Sequence, residues 1–172
     1  IGLNSNIIVR DCTSGVNPNN TDVRFKAPNV LVGNHSANNP KVVVDGVKVL
    51  GCTINGASFA GVRTYGWDNV EIAGNTFKDC AVGVHIMSGT SSNIKGSNNV
   101  DIHNNVFENC NVDITTAFPS SNWADAPISE YAHNGLNVVF NKSKGGTAFF
   151  VGTYINDAVF AFNNVSDKVN DF

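Results

Sequence analysis

Asn69-Val70-Glu71-Ile72-Ala73-Gly74-Asn75-Thr76-Phe77-Lys78-Asp79-Cys80 is answered thirty residues later by Asn99-Val100-Asp101-Ile102-His103-Asn104-Asn105-Val106-Phe107-Glu108-Asn109-Cys110. Val, Ile, Asn, Phe and Cys recur in register. Self-similarity at a period of about 20–50 residues marks a stacked-repeat architecture, in which each unit buries its apolar face only against its neighbours. The apolar residues alternate within each copy (Val70, Ile72; Val100, Ile102), which is the period of a strand and not of a helix.

Working outward, Ile7-Ile8-Val9-Arg10-Asp11-Cys12 is an earlier copy, and Val47-Lys48-Val49-Leu50-Gly51-Cys52 a second, with Cys52 where Asn75 stands. Leu136-Asn137-Val138-Val139-Phe140-Asn141 and Ala158-Val159-Phe160-Ala161-Phe162-Asn163 continue the series. Cys52 to Asn75 spans 23 residues and Asn141 to Asn163 spans 22, so the longer spacings require insertions. Turn-rich stretches at 88–98 and 115–134 supply them. A lone apolar residue (Ile54, Phe77, Phe107) forms a short strand after each bend, and a second alternating strand follows: Gly61-Val62-Arg63-Thr64, Gly83-Val84-His85-Ile86, Asn111-Val112-Asp113-Ile114. No segment carries a helical period.

Three short strands per turn of about 22 residues predict an all-β, single-stranded parallel β-helix of roughly six coils occupying residues 1–172 as one domain. Coils over 1–46 are expected to be irregular and those over 47–172 regular, with a long loop around Asn17-Pro18-Asn19-Asn20. Asn75, Asn105 and Asn141 are expected to stack as an asparagine ladder, their amides bonding along the axis. The 27 asparagines and 16 glycines suit a chain that turns often.

Charged residues are 15% and the net charge is −3, which with no basic run argues against nucleic acid. There is no apolar run of membrane-spanning length. Cysteines at 12, 52, 80 and 110 form no CxxC pair. They are expected as buried thiols, with a Cys80–Cys110 disulfide between adjacent coils as the alternative.

The residues 70–77 and 100–107, with Gly83-Val84-His85-Ile86, resemble the right-handed parallel β-helix proteins of the pectin-lyase-like superfamily. That group includes polysaccharide lyases, glycoside hydrolases, phage tailspikes and adhesins. The resemblance implies that the strand before the ladder belongs to the second sheet of each coil. It also implies that Gly-Val-His-Ile-type strands belong to the first sheet, whose outer face and following loops carry the chemistry. It further implies a polysaccharide partner, an extracellular or virion-surface location, and either a homotrimer or additional coils of the same chain.

In that frame the first-sheet outward column is read as Arg63, His85 and Asp113, a cation, an imidazole and a carboxylate in a row. Asp113 with Asp125 or Glu130 would supply the carboxyl pair of a glycosidase. Arg63 or His85 would be the base of a lyase. Tyr65, Trp67, Trp123 and His133 would bind sugar. The alternative is a solvated stripe of mixed charge on a non-catalytic shaft, adhesin or glycan-binding segment. No cofactor is required; a calcium ion between Glu71 and Asp101 in the outward column Lys48, Glu71, Asp101, Asn137 is the one metal considered.

Overall fold

The computed structural model describes residues 4–15, 30–31, 44–88, 95–116 and 131–169. All twenty strands in these residues pair in parallel. The chain is a parallel β-helix of six coils. The second sheet holds Ile8–Arg10, Lys48–Leu50, Val70–Ala73, Asn98–His103, Asn134–Val139 and Ala158–Ala161. The third holds Thr13–Gly15, Thr53–Asn55, Thr76–Lys78, Val106–Glu108, Lys142–Lys144 and Asn164–Ser166. The first holds Val30–Leu31, Val62–Tyr65, Val82–Met87, Val112–Thr115 and Ala148–Val151. A small fourth sheet joins Asn4–Ser5, Val44–Asp45 and Trp67–Asp68.

The bends explain the composition. Each passage between sheets requires one residue in the left-handed region, where Gly is free and Asn and Asp are tolerated. Asn6, Gly46, Asn69, Asn99 and Gly135 hold it before the second sheet, with φ between 53° and 68°. Asp11, Gly51, Gly74 and Asn104 hold it before the ladder, and Gly56, Asp79, Asn109, Gly145 and Asp167 after the third sheet.

The ladder forms as expected and extends to Asn163. Asn75 Nδ2 donates to Asn105 Oδ1 at 2.9 Å, Asn105 to Asn141 at 3.0 Å and Asn141 to Asn163 at 3.0 Å. Each amide also donates to a carbonyl of the preceding coil, as Asn105 does to Ile72 at 2.8 Å. Each Oδ1 accepts a backbone N–H as well. A buried side chain with two donors, two acceptor lone pairs and short reach is what this bend needs.

The interior is a set of axial stacks. Ile54, Phe77 and Phe107 are in register and fully buried, the two rings 5.0 Å apart and nearly parallel. The rings fit because Gly61 and Gly83 face them from the preceding coil. A Cβ on Gly83 would stand 2.6 Å from Phe107 Cε1, and one on Gly61 2.8 Å from Phe77 Cδ1. One coil further the pattern inverts: Asp113 follows Gly61 and Gly83 in the series, and Ser143 follows Phe107. The larger side chain has moved from the third sheet to the first. Lys168 reaches in to Asp113, its Nζ 2.8 Å from Oδ2, and donates to the Gly145 carbonyl at 2.6 Å.

Candidate functional site

The first-sheet column differs from the sequence reading. Arg63 pairs with His85, and His85 with Thr115, not Asp113. Asp113 falls opposite Gly83, two residues before His85, because Val82 and Val112 are register partners. Asp113 is fully buried, hydrogen-bonded to the Ser143 hydroxyl and ion-paired to Lys168. Burial pushes its carboxyl upward, opposed by the bonds from Lys168 and Ser143. It does not reach a surface where substrate could meet it. Trp67 is likewise fully buried in the core, so its ring is closed to a sugar. Tyr65 stands on the first-sheet strand of Arg63, in register with Met87. Trp123, Asp125 and Glu130 lie outside the described residues.

Arg63 and His85 are brought together as read. The Arg63 guanidinium lies 4.4 Å over the Phe59 ring, whose centroid is 5.9 Å from that of His85. His85 is buried, and Thr115 turns its hydroxyl to the Val151 carbonyl at 2.8 Å. Behind His85 stands His133, 1% exposed. The Ser97 N–H donates to His133 Nδ1 at 3.1 Å, which fixes the other ring nitrogen as the protonated one. Nε2 then donates to Ser88 Oγ at 3.4 Å, and Ser88 to the Tyr131 carbonyl at 2.7 Å. Burial, with His85 nearby, lowers the His133 pKa to about 4. It is a neutral structural group that closes a turn, not a sugar ligand at the surface.

The second sheet carries the open polar surface. Lys48, Glu71, Asp101 and Asn137 form one row in register, as read. The like charges are compensated within the protein. Lys48 Nζ donates to Glu71 at 2.7 Å, His103 Nε2 lies 3.3 Å from its other oxygen, and Asn137 donates to Asp101 at 2.6 Å. The bond from Lys48 holds the Glu71 carboxyl below its usual range. Around the row is a shallow groove of about 550 Å³, bounded by Asn69, Asn99 and Gly135. At the bend that follows the same sheet, Phe140 and Phe162 stack at 5.0 Å and stay 54% and 77% exposed. Both hold the left-handed bend position that Gly, Asn or Asp fills elsewhere. Sequence reading passed over them because they look like core residues.

The cysteines form two axial pairs. Arg10–Leu50 and Thr13–Thr53 are register partners, so Cys12 stands over Cys52 at the foot of the asparagine ladder. Lys78 pairs with Glu108, which sets Cys80 over Cys110 at the third bend. All four are free thiols. Cys52, Cys80 and Cys110 are buried, as expected, but Cys12 is exposed because the first coil has nothing stacked beyond it in the described residues. Burial raises the Cys52 pKa, and the Cys12 thiol adds to the rise. The hydrogen bond between Cys80 and Cys110, with burial, pushes Cys110 far up.

The fold and these surfaces define a parallel β-helix protein: stacked coils whose outer faces display polar rows and whose bends carry thiols. A family profile described as "Periplasmic copper-binding protein (NosD)" matches residues 1–156, and the chain belongs to the NosD family. Comparison with curated proteins and with solved structures returns no match. The family is described as periplasmic, which agrees with a location outside the cytoplasm and gives no support to the virion surface.

Copper must then be tested against the donors present. Among the described residues no three of His, Cys, Asp and Glu converge on one point. The described residues therefore hold no ligand set for calcium, and none for cupric ion, which prefers N and O donors in a tetragonal array. Two stacked thiolates do suit cuprous ion, which is soft and selects sulfur. Cys12 and Cys52 are such a pair with an outside approach through Cys12; Cys80 and Cys110 are closed in the interior.

Proposed function

We propose that this chain is a non-catalytic binding β-helix of the periplasm that holds copper as Cu(I) between the thiolates of Cys12 and Cys52. The observation that carries the reading is the stacking of an exposed thiol on a buried one at the ladder position of adjoining coils. Family membership supplies the metal, and the softness of sulfur selects its oxidation state. Binding displaces both thiol protons, so affinity rises with pH. The test is competition with a colorimetric Cu(I) chelator under reducing, anaerobic conditions. One equivalent should be retained by the native chain and by Cys80→Ser/Cys110→Ser, and lost in Cys12→Ser and in Cys52→Ser. Retention in Cys12→Ser would overturn the assignment.

A second reading, recognition of a polysaccharide, keeps one observation in its favour. The row Lys48, Glu71, Asp101, Asn137 offers donors and acceptors for hydroxyl groups, and the exposed Phe140–Phe162 ledge at the bend after the same sheet offers a face for the apolar side of a sugar ring. This reading involves no bond cleavage, because Asp113 is sealed in an ion pair. Calorimetry against a panel of acidic and neutral polysaccharides decides it. Binding that disappears in Phe140→Asn/Phe162→Asn, without shorter products, is the expected result; no binding by the native chain would retire it.

A further inference from the structure

The two cysteine pairs share a geometry and differ in access, and that contrast carries a covalent assignment. In-register parallel strands bring equivalent Cα atoms to about 4.8 Å, inside the span of about 4.4–6.8 Å that a disulfide accepts. Cys12 and Cys52 meet this condition, with register partners on both sides fixing their alignment. Their thiols are held only by weak contacts. Cys12 Sγ lies 3.2 Å from the Arg10 carbonyl, and Cys52 Sγ lies 3.5 Å from that of Leu50 and 3.9 Å from that of Val9. Nothing but these bonds must break for the sulfurs to turn towards each other. Cys12 is exposed to an incoming oxidant, whereas Cys52, at 2% exposure, is buried beside it. Cys80 and Cys110, 2% and 0% exposed, offer no entry.

We propose that Cys12 and Cys52 are a disulfide-forming pair, an axial staple between the first and second coils that closes under oxidation, while Cys80 and Cys110 remain thiols. The exchange is balanced with a small-molecule disulfide as oxidant. The Cys12 thiolate attacks one sulfur of oxidised glutathione and expels a glutathione thiolate. Cys52, losing its proton, then attacks the Cys12 sulfur and expels the second. Two protein thiols give up two electrons and two protons, and two glutathione thiols are formed. Exposure decides the order of events: Cys12 is attacked first and Cys52 resolves. Because the staple consumes both thiolates, oxidation excludes Cu(I) from the pair; that consequence rests on the copper reading, but the staple itself does not.

The experiment incubates the whole native chain with oxidised glutathione, blocks remaining thiols with an alkylating agent, and maps tryptic peptides without reduction. Cleavage after Arg10, Arg24, Lys48 and Arg63 isolates Cys12 in 11–24 and Cys52 in 49–63. The expected product is 11–24 linked to 49–63, two hydrogen masses below the sum, with Cys80 and Cys110 alkylated only after unfolding. Cys52→Ser should trap a glutathione adduct on Cys12, and Cys80→Ser/Cys110→Ser should leave the linkage unchanged. A persistent glutathione adduct on Cys12 in the native chain, a linkage through Cys80 or Cys110, or four free thiols would each overturn the assignment. Cu(I) titration of the reduced protein separates the two claims. Linkage without copper binding sinks the copper reading and leaves the staple. Copper binding without linkage does the reverse.

Discussion

Coils two to four and coils five to six are built from one repeat by opposite means. In the former, each position repeats itself: Phe77 and Phe107 stack over Gly61 and Gly83, Asn75 over Asn105, and the bends use Gly, Asn or Asp. From the end of coil four onward three columns carry an exception, while the asparagine ladder and the bends at Gly135 and Gly145 carry on. Asp113 and Ser143 replace Gly and Phe, Lys168 enters the interior, and Phe140 and Phe162 take the left-handed bend. The lesson is that a stacked coil tolerates a departure only when its axial neighbour departs in the complementary sense. Volume lost at Ser143 is regained at Asp113, and the charge so introduced is met by Lys168.

The largest effect expected from breaking this contrast is at Lys168. Lys168→Met leaves Asp113 ionised or protonated without its partner in a closed interior, and should cost about 3–5 kcal/mol in chemical denaturation. Restoring the repeat with Asp113→Gly/Ser143→Phe/Lys168→Met should recover most of that loss, since hydrophobic replacement of a buried ion pair is often neutral or better. If the triple variant is no more stable than the single one, the compensation argument fails.

Next in size is a pH effect at the join between coils four and five. His133 has a folded pKa of about 4 against 6.5 for the free side chain. A depressed folded value means that the unfolded chain takes up the proton first. The stabilisation is complete above about pH 6.5 and is lost as pH falls towards 4, by at most about 3 kcal/mol. Melting temperature against pH should show this fall, and His133→Gln should flatten it. An unchanged slope in the variant would place the acid sensitivity elsewhere.

The regular coils should respond less. Asn105→Ala removes donors to Asn141 Oδ1 and the Ile72 carbonyl and the acceptor for the Asn75 N–H, at a cost of about 2 kcal/mol by denaturation. The smallest effect expected is a gain. Phe140→Asn puts a residue suited to positive φ at a site now held by an exposed phenylalanine, and should stabilise by up to about 1 kcal/mol despite the lost ring stack. A loss instead would mean that the Phe140–Phe162 stack outweighs its backbone strain.

Much of the coil was readable because its signals are local. The alternation at Val70–Ile72 and Val100–Ile102, the ladder asparagines and the row Lys48–Glu71–Asp101–Asn137 follow from counting along a fixed period. The site was read less well where a slip of two residues decides the outcome. Aligning Asp113 with His85 placed a carboxylate on the surface, but the Val82–Val112 pairing moves Thr115 there and turns Asp113 inside. Trp67 reads as a sugar platform because it follows Arg63 and Tyr65 and an aromatic face suits a sugar ring, yet its strand is the last of the small fourth sheet and its side chain is fully buried. Lys168 gave no signal, since its partner lies 55 residues away.

Sequence by itself determined that the chain winds into stacked parallel coils, because the period of its apolar residues and its left-handed-tolerant bends allows no other way to bury every unit's face. Only the tertiary structure decided which side chains meet. Strand partners in this fold lie along the axis between residues 22–40 positions apart, and insertions of differing length between sheets set that register independently for each coil. The same arithmetic brought Cys12 over Cys52 and sealed Asp113 beneath Lys168, neither of which is visible until the coils are stacked.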